Sequence, residues 1–212
     1  MREKVAYIAP GYPNSTEADN YQEVGSFFED NGFEVEYIDP DWSTDMEENL
    51  EQFSQLVEEA TQKYGEHEKY FFGHSLGAMC LFTVSPEFEP KAKIMASMSP
   101  EFKEEHELNA RWAIKAGRIF NRISGLFSEP LSMDYDRPKL EDIDVTGDIY
   151  FMYAEREYYG FFGIDSLGFG RETTEKRLEM FPEAEKIVVE GAKHQMTSDE
   201  YLGEIEDVID EL

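Results

Sequence analysis

A serine flanked by glycines is the residue of this sequence best suited to covalent chemistry. The pentapeptide Gly-His-Ser-Leu-Gly, centred on Ser75, follows an apolar segment typical of a strand and precedes a segment typical of a helix. Glycines allow a very tight turn from strand to helix, which lifts the serine hydroxyl above the sheet. The backbone N–H of Leu76 would then be free to bind an oxyanion. The motif therefore indicates nucleophilic catalysis by Ser75, with an incidental serine in a glycine-rich turn as the alternative.

A serine hydroxyl reacts only when a base takes its proton, so one of the four histidines should lie near Ser75. His67 lies in a polar loop and His106 lies in an acidic segment. His74, inside the pentapeptide, points the wrong way to serve its neighbour. His194 follows the last apolar strand segment, where a loop can hold an imidazole over the edge of a sheet. We therefore predict that His194 is the base, the alternative being a solvated loop histidine.

The base needs a carboxylate to fix its tautomer and stabilise the imidazolium. Glu155 and Glu157 follow the strand segment that precedes the last one, and Glu101 follows an earlier strand segment. The chain has 47 acidic residues, so residue type alone cannot choose among the three. Their positions relative to the strands must decide.

Short apolar segments typical of strands alternate with helical segments along the chain. The strand segments are residues 4–9, 33–38, 69–73, 94–98, 148–154 and 186–190, and the helical ones are 20–31, 46–64, 78–84, 173–180 and 201–212. This alternation predicts an α/β fold, with a mostly parallel six-stranded sheet and helices on both faces, in a single domain over residues 1–212. Residues 101–145 break this alternation of strand and helix. We predict that they form a helical insertion, with a helix from about 104 to 127.

From Val5 to Leu212 the chain resembles a compact member of the α/β-hydrolase superfamily. The resemblance implies that the first strand here corresponds to the third strand of the family, so that the first two family strands are lacking. It also implies the chain order Ser, acid, His, with the acid closing a Gly-x-x-Asp segment after the penultimate strand. Here that segment reads Ala-Glu-Arg-Glu at 154–157, which makes Glu157 the acid. Because two positions depart from the family pattern, Glu155 and Glu101 stay open.

The resemblance further implies a second oxyanion donor in the loop after the first strand. In that loop Gly11 permits close approach of the backbone, and the N–H of Tyr12 is the expected donor. Pro13 cannot donate because it has no N–H. A plain β-turn is the alternative reading of this loop.

Two further segments bear on the substrate. Family insertions at this place cap the active site, so the apolar face that carries Trp112 would line an acyl pocket. The aromatic and glycine-rich segment 158–163 would form a hydrophobic rim through Tyr158 and Phe161. The alternatives are a helix packed on the body of the domain and a loop docked on the core.

Composition limits the partners more than it identifies them. The chain has 19 basic and 47 acidic residues, a net charge of −28, which would repel nucleic acid and anionic membranes. The single cysteine, Cys80, excludes an internal disulfide. No apolar run has the length of a membrane span and the first residues lack the pattern of a signal peptide, so we expect a cytoplasmic location. Whether the host is salt-adapted is left open.

Together these features predict a serine hydrolase that cleaves a carboxylic ester or a related acyl bond through an acyl-enzyme. Ser75, His194 and Glu157 would form the triad, and the substrate would be a small acyl compound. No metal or organic cofactor is required by this chemistry. The alternatives are a peptidase or acyltransferase on the same fold, or a binding module that retains the pentapeptide without turnover. The oligomeric state is left open.

Overall fold

The computed structural model describes residues 3–105, 136–143, 145–159 and 171–212. Its centre is a single sheet of six strands, in the order β2-β1-β3-β4-β5-β6, and every neighbouring pair is parallel. The strands are β1 Lys4–Ala9, β2 Glu34–Tyr37, β3 Glu68–His74, β4 Ala92–Ala96, β5 Asp148–Ala154 and β6 Glu185–Val189. The α/β prediction with a parallel six-stranded sheet is confirmed.

Helices in the described residues connect most of these strands, as parallel pairing requires, and one more follows the last strand. They are α1 Asp19–Asp30, α2 Met46–Tyr64, α3 Ser75–Val84, α4 Glu155–Tyr159, α5 Arg171–Met180 and α6 Asp199–Asp210, with short 3-10 turns at Ser85–Glu87 and Leu140–Asp142. The largest difference from the predicted bounds is in α3, which begins at Ser75 itself rather than at residue 78. None of the helices described above combines the length and apolarity that a membrane-spanning helix needs.

Alternate residues of the strands cover the two faces of the sheet, because side chains of a strand point to opposite sides in turn. On one face Tyr7 and Phe71 pack in the same apolar cluster as α2 and α3. On the other face Ile8 and Phe72 pack in a cluster with α1 and α6. The sheet is therefore covered on both faces. Side chains that meet a substrate must then come from the strand ends and the loops that follow them.

The strand order places a crevice at the carboxyl end of the sheet. From β1 the chain crosses to β2 on one side, and it then returns to β3 on the other side of β1. In open parallel sheets, ligands bind outside the carboxyl ends of the strands where the connections diverge in this way. The loop after β1 and the turn after β3 meet at this point.

The insertion predicted over 101–145 is described only at its two ends. Lys103 N donates to Pro138 O at 3.0 Å, and Leu140 N donates to the Glu104 carboxylate at 3.0 Å, so the two ends are joined to each other. Residues 106–135, with most of the predicted helix and Trp112, lie outside the described residues, as does Phe161. The capping role and the extent of the domain stay predictions.

Candidate active site

Ser75 lies at the junction of β3 and α3 in a strained backbone conformation. Its φ is 51°, in the left-handed region that non-glycine residues rarely adopt, at a cost of order 1–3 kcal/mol. Such strain persists only where the surrounding structure fixes it, and it is typical of active sites. Because α3 begins at Ser75, the N–H of Leu76 lies in the first turn and has no acceptor within the helix.

The loop after β1 lies directly against this turn. A Cβ on Gly77 would come within 2.1 Å of Pro10 O, and one on Gly11 would come within 2.9 Å of the Ser75 Cβ, so both positions require glycine. The backbone of residues 10–12, which we call the oxyanion loop, is thereby brought against Ser75. Gly11 N itself donates to the Tyr21 hydroxyl at 2.9 Å, and the Tyr12 N–H as donor to a substrate stays a prediction.

His194 and Glu157 are brought together by the loops after β6 and β5. The Nδ1 atom of His194 contacts the Oε1 atom of Glu157. The other carboxylate oxygen accepts from Ser97 Oγ at 2.5 Å and from Ala154 N at 3.1 Å. Glu157 is therefore held by donors on both oxygens, with its orientation toward the imidazole fixed.

Sequence reasoning missed the residues that support Glu157. Tyr201 of α6 lies 2.9 Å from Ser97 Oγ and 3.4 Å from Met152 O. Burial, together with the charge of Glu157, raises the Tyr201 pKa well above its usual value, so the hydroxyl stays protonated and donates toward Ser97. Ser97, just after β4, has a φ of 48°. The only sequence signal was a pair of serines, Ser97 and Ser99, at the end of a strand.

Ser99 and a buried arginine hold the neighbouring backbone. Ser99 N donates to Ser75 O at 3.0 Å, and the hydroxyls of the two serines are 3.3 Å apart. Arg177 donates to Ser99 O at 3.2 Å and to Met98 O at 3.1 Å, and its guanidinium pairs with Glu105. Both side chains of this ion pair are fully buried. The pair therefore ties the insertion and α5 to the strand end beside Ser75.

Ser75 and His194 line the same cleft, which has a volume of about 360 Å³. The oxyanion loop contributes Tyr12, whose ring packs edge-on against Trp42 with centroids 5.7 Å apart. The other described side chains of the lining are polar or aromatic: Asn14, Asn20, Tyr21, His74, Gln195 and Thr197. The arrangement unites a strained serine, an imidazole paired with a carboxylate, and the N–H of Leu76 in the first turn of α3.

Solved structures with this architecture are numerous, although neither the family models nor the curated proteins include a match to the sequence. Alpha/beta hydrolase domain-containing protein 10 from mouse is similar with a TM-score of 0.70 and 14% identity, over 100% of this chain and 90% of that one. The Pyrococcus furiosus esterase Pf2001 is similar with a TM-score of 0.68 and 16% identity, over 99% and 81%. Est1E from Butyrivibrio proteoclasticus is similar with a TM-score of 0.64 and 12% identity, over 99% and 86%.

The chain has the α/β-hydrolase fold. Glu155 and Glu101, the two alternatives to Glu157 as the acid, have other partners. Glu155 accepts a hydrogen bond from Gly191 N at 2.9 Å, and Glu101 forms an ion pair with Arg137 at 3.4 Å. Tyr158, expected on a substrate pocket, packs in the apolar core beside Tyr153 and is not among the described residues that line the cleft.

One group of side chains could hold a cation, and it lies at the opposite end of the α/β-hydrolase sheet. Among the described residues, only Glu3, Glu34 and His67 bring three potential metal ligands together. They lie at the amino ends of β1, β2 and β3, whereas Ser75 follows the carboxyl end of β3. His67 Nε2 is 3.1 Å from a carboxylate oxygen of Glu3 and 3.4 Å from one of Glu34. This group takes no part in the cleft.

Proposed function

We propose that the protein is a serine hydrolase that cleaves carboxylic esters through an acyl-enzyme, with Ser75 as nucleophile, His194 as base and Glu157 as the orienting acid. The observation that carries the proposal is the strained Ser75, which lines one cleft with an imidazole whose Nδ1 contacts a doubly held carboxylate. Strain at a serine and a fixed His–Glu pair together favour activation of the hydroxyl rather than a passive turn.

In the first step Ser75 Oγ would attack the carbonyl carbon while the His194 Nε2 atom takes its proton. The tetrahedral oxyanion would be bound by the N–H groups of Leu76 and Tyr12, at the positive end of α3. The C–O bond of the alcohol then breaks and His194 returns the proton to the leaving oxygen. Water then attacks the acyl carbon while His194 takes one of its protons. The bond from that carbon to Ser75 Oγ breaks, His194 returns the proton to Ser75 Oγ, and the acyl group leaves as a carboxylic acid.

Two observations support an ester as the first substrate to test. The protein named an esterase, Pf2001, shares the fold. The described wall of the cleft carries short polar side chains, Asn14, Asn20 and Thr197, which can bind a hydroxylated leaving group without a charged partner. We therefore expect esters with a polar alcohol part to be cleaved best.

Labelling with a fluorophosphonate probe tests the proposal directly. The wild-type chain should become labelled on Ser75. The Ser75→Ala variant should not be labelled, its turnover should fall about 10⁶-fold, and its melting midpoint should stay that of the wild type. Ser99→Ala is the matched control, because it removes a hydroxyl 3.3 Å away that no imidazole activates, and it should still be labelled. Nitrophenyl esters, an anilide and an added alcohol acceptor then separate an esterase from a peptidase or an acyltransferase. A wild-type chain that is folded, unlabelled and inactive would instead favour a binding module.

A further inference from the structure

A chain of hydrogen bonds joins the oxyanion loop to the loop that carries His194. Gly11 N is 2.9 Å from the Tyr21 hydroxyl, that hydroxyl is 2.8 Å from His74 Nδ1, and His74 Nε2 is 2.7 Å from His194 O. Tyr21 is 1% exposed and His74 is 3% exposed, so both side chains of the chain of bonds are buried. The four residues come from four separate segments of the sequence.

The chemistry of the groups fixes the direction of every bond. The carbonyl of His194 can only accept, so His74 Nε2 carries a hydrogen. Burial, followed by the neighbouring His194, lowers the pKa of His74 to about 3, so the ring is neutral and its Nδ1 must accept. The Tyr21 hydroxyl therefore donates to Nδ1, and its oxygen accepts from Gly11 N. All three bonds therefore run in one direction, from Gly11 toward His194.

The position of His74 gives this network its significance. The ring belongs to the residue immediately before Ser75, so the same short segment carries the nucleophile and the link between the two loops. His74 takes no proton from Ser75, since both of its nitrogens are engaged elsewhere. A buried imidazole is costly unless both nitrogens are hydrogen-bonded, and here both are.

We propose that Tyr21 and His74 are positioning residues that hold the oxyanion donor of Tyr12 and the imidazole of His194 at a fixed separation across Ser75. The inference rests on the proposed function. It goes beyond the triad because it assigns a role to His74, which lies between the first glycine and the serine of the pentapeptide, and to Tyr21 of α1. A displacement of about 1 Å in such a site can lower turnover about 10²-fold without weakening ground-state binding.

Three variants divide the network. Tyr21→Phe removes the central hydroxyl, together with its interactions with Asn14 and Asn20. His74→Asn keeps an acceptor near the Nδ1 position, so it can preserve the bond from Tyr21, whereas His74→Gln keeps a donor near the Nε2 position, so it can preserve the bond to His194. Tyr7→Phe is the matched control: Tyr7 is as buried as Tyr21, its hydroxyl is 3.4 Å from Thr61, and it lies on the other face of the sheet.

The readouts are kcat and KM on a short nitrophenyl ester, the pH profile of kcat/KM, and a thermal melt. We expect Tyr21→Phe to lower kcat about 10- to 100-fold with KM changed less than about threefold. His74→Gln should keep the wild-type pH profile and His74→Asn should shift it, because only the first retains the bond to His194. Tyr7→Phe should lower the melting midpoint and leave kcat within about threefold of the wild type.

Two results would overturn the inference in distinguishable ways. If the wild type is active and labelled while Tyr21→Phe and both His74 variants keep kcat within about threefold, the network is merely structural and the proposed function stands. If the wild type is neither labelled nor active on any ester, the proposed function fails and this inference fails with it. Should Tyr21→Phe be unfolded at the assay temperature, the contrast between His74→Gln and His74→Asn decides alone.

Discussion

Replacing Glu157 by glutamine tests the acid with almost no change in shape. Both carboxylate oxygens face donors: one faces His194 Nδ1, and the other accepts from Ser97 Oγ at 2.5 Å and Ala154 N at 3.1 Å. Glutamine offers one acceptor and one amide. If its oxygen stays on Ala154, the amide faces His194 and forces Nδ1 to be unprotonated, so that Nε2 carries the proton and cannot take another from Ser75. If the amide group faces Ala154 instead, its N–H meets the backbone N–H of Ala154, and two donors cannot form a hydrogen bond.

The magnitude follows from the tautomer. A triad whose histidine is held in the wrong tautomer loses about 10⁴-fold in kcat, which corresponds to about 5 kcal/mol of transition-state stabilisation. Glu155→Gln is the matched control, two residues away. Glu155 accepts one hydrogen bond, from the exposed N–H of Gly191, which an amide oxygen can also accept, so kcat should stay within about threefold.

Initial rates on a nitrophenyl acetate, with a melt on each variant, provide the assay. A folded Glu157→Gln protein that keeps its activity within about tenfold of the wild type would refute the reasoning. A larger loss in Glu155→Gln, or in Glu101→Gln, whose carboxylate pairs with Arg137, would assign the acid there instead.

Four further predictions concern other parts of the molecule. Gly77→Ala would place a Cβ 2.1 Å from Pro10 O, so we expect the oxyanion loop to be displaced. The kcat should then fall about 10²-fold, and the melting midpoint should be lower. Arg177→Met leaves the Glu105 charge buried without its partner and should lower the free energy of unfolding in urea by about 3–5 kcal/mol, whereas addition of Glu105→Leu should recover part of it. The pKa of His74 in the folded protein, about 3, lies below its unfolded value of about 6.5. The stability that the neutral ring provides above pH 6.5 is therefore lost as the pH falls. From about pH 6.5 to about pH 5, the free energy of unfolding should drop by about 2 kcal/mol more in the wild type than in His74→Gln. With a net charge of −28, the melting midpoint should climb as chloride is added, and a flat response would contradict strong self-repulsion.

The sheet could be predicted because each strand is a short apolar run whose neighbours along the chain are helical. The position of Ser75 could be predicted for a similar reason, since the glycines around a tight turn are local in sequence. His194 and Glu157 could be anticipated only through the order of strands, and their contact depends on two loops that the sheet brings to one edge.

The supporting residues could not be predicted because their partners are distant in sequence. Tyr21 fits the apolar face of its helix, and nothing in that pattern shows that its hydroxyl reaches His74, 53 positions away. Tyr201 similarly meets Ser97 across 104 positions. Arg177 lies in a helix of mostly polar residues, which predicts exposure; it is buried because Glu105 and two carbonyls converge on it. In each case a polar group is engaged by tertiary contacts that periodicity does not report.

The hydrogen-bonded ends of the insertion have a consequence for how this protein can change. Lys103 N and Pro138 O, near the two ends of the insertion, are 3.0 Å apart. A loop closed at such a point costs little more when it is longer, about 0.6 kcal/mol of closure entropy for each doubling of length. Segments of very different length can therefore be exchanged between Glu105 and Asp136, because the buried pair of Glu105 with Arg177 and the bond from Leu140 N to Glu104 are then kept. In evolution or in engineering, this junction lets the sequence between those two residues diversify independently of the sheet that carries Ser75.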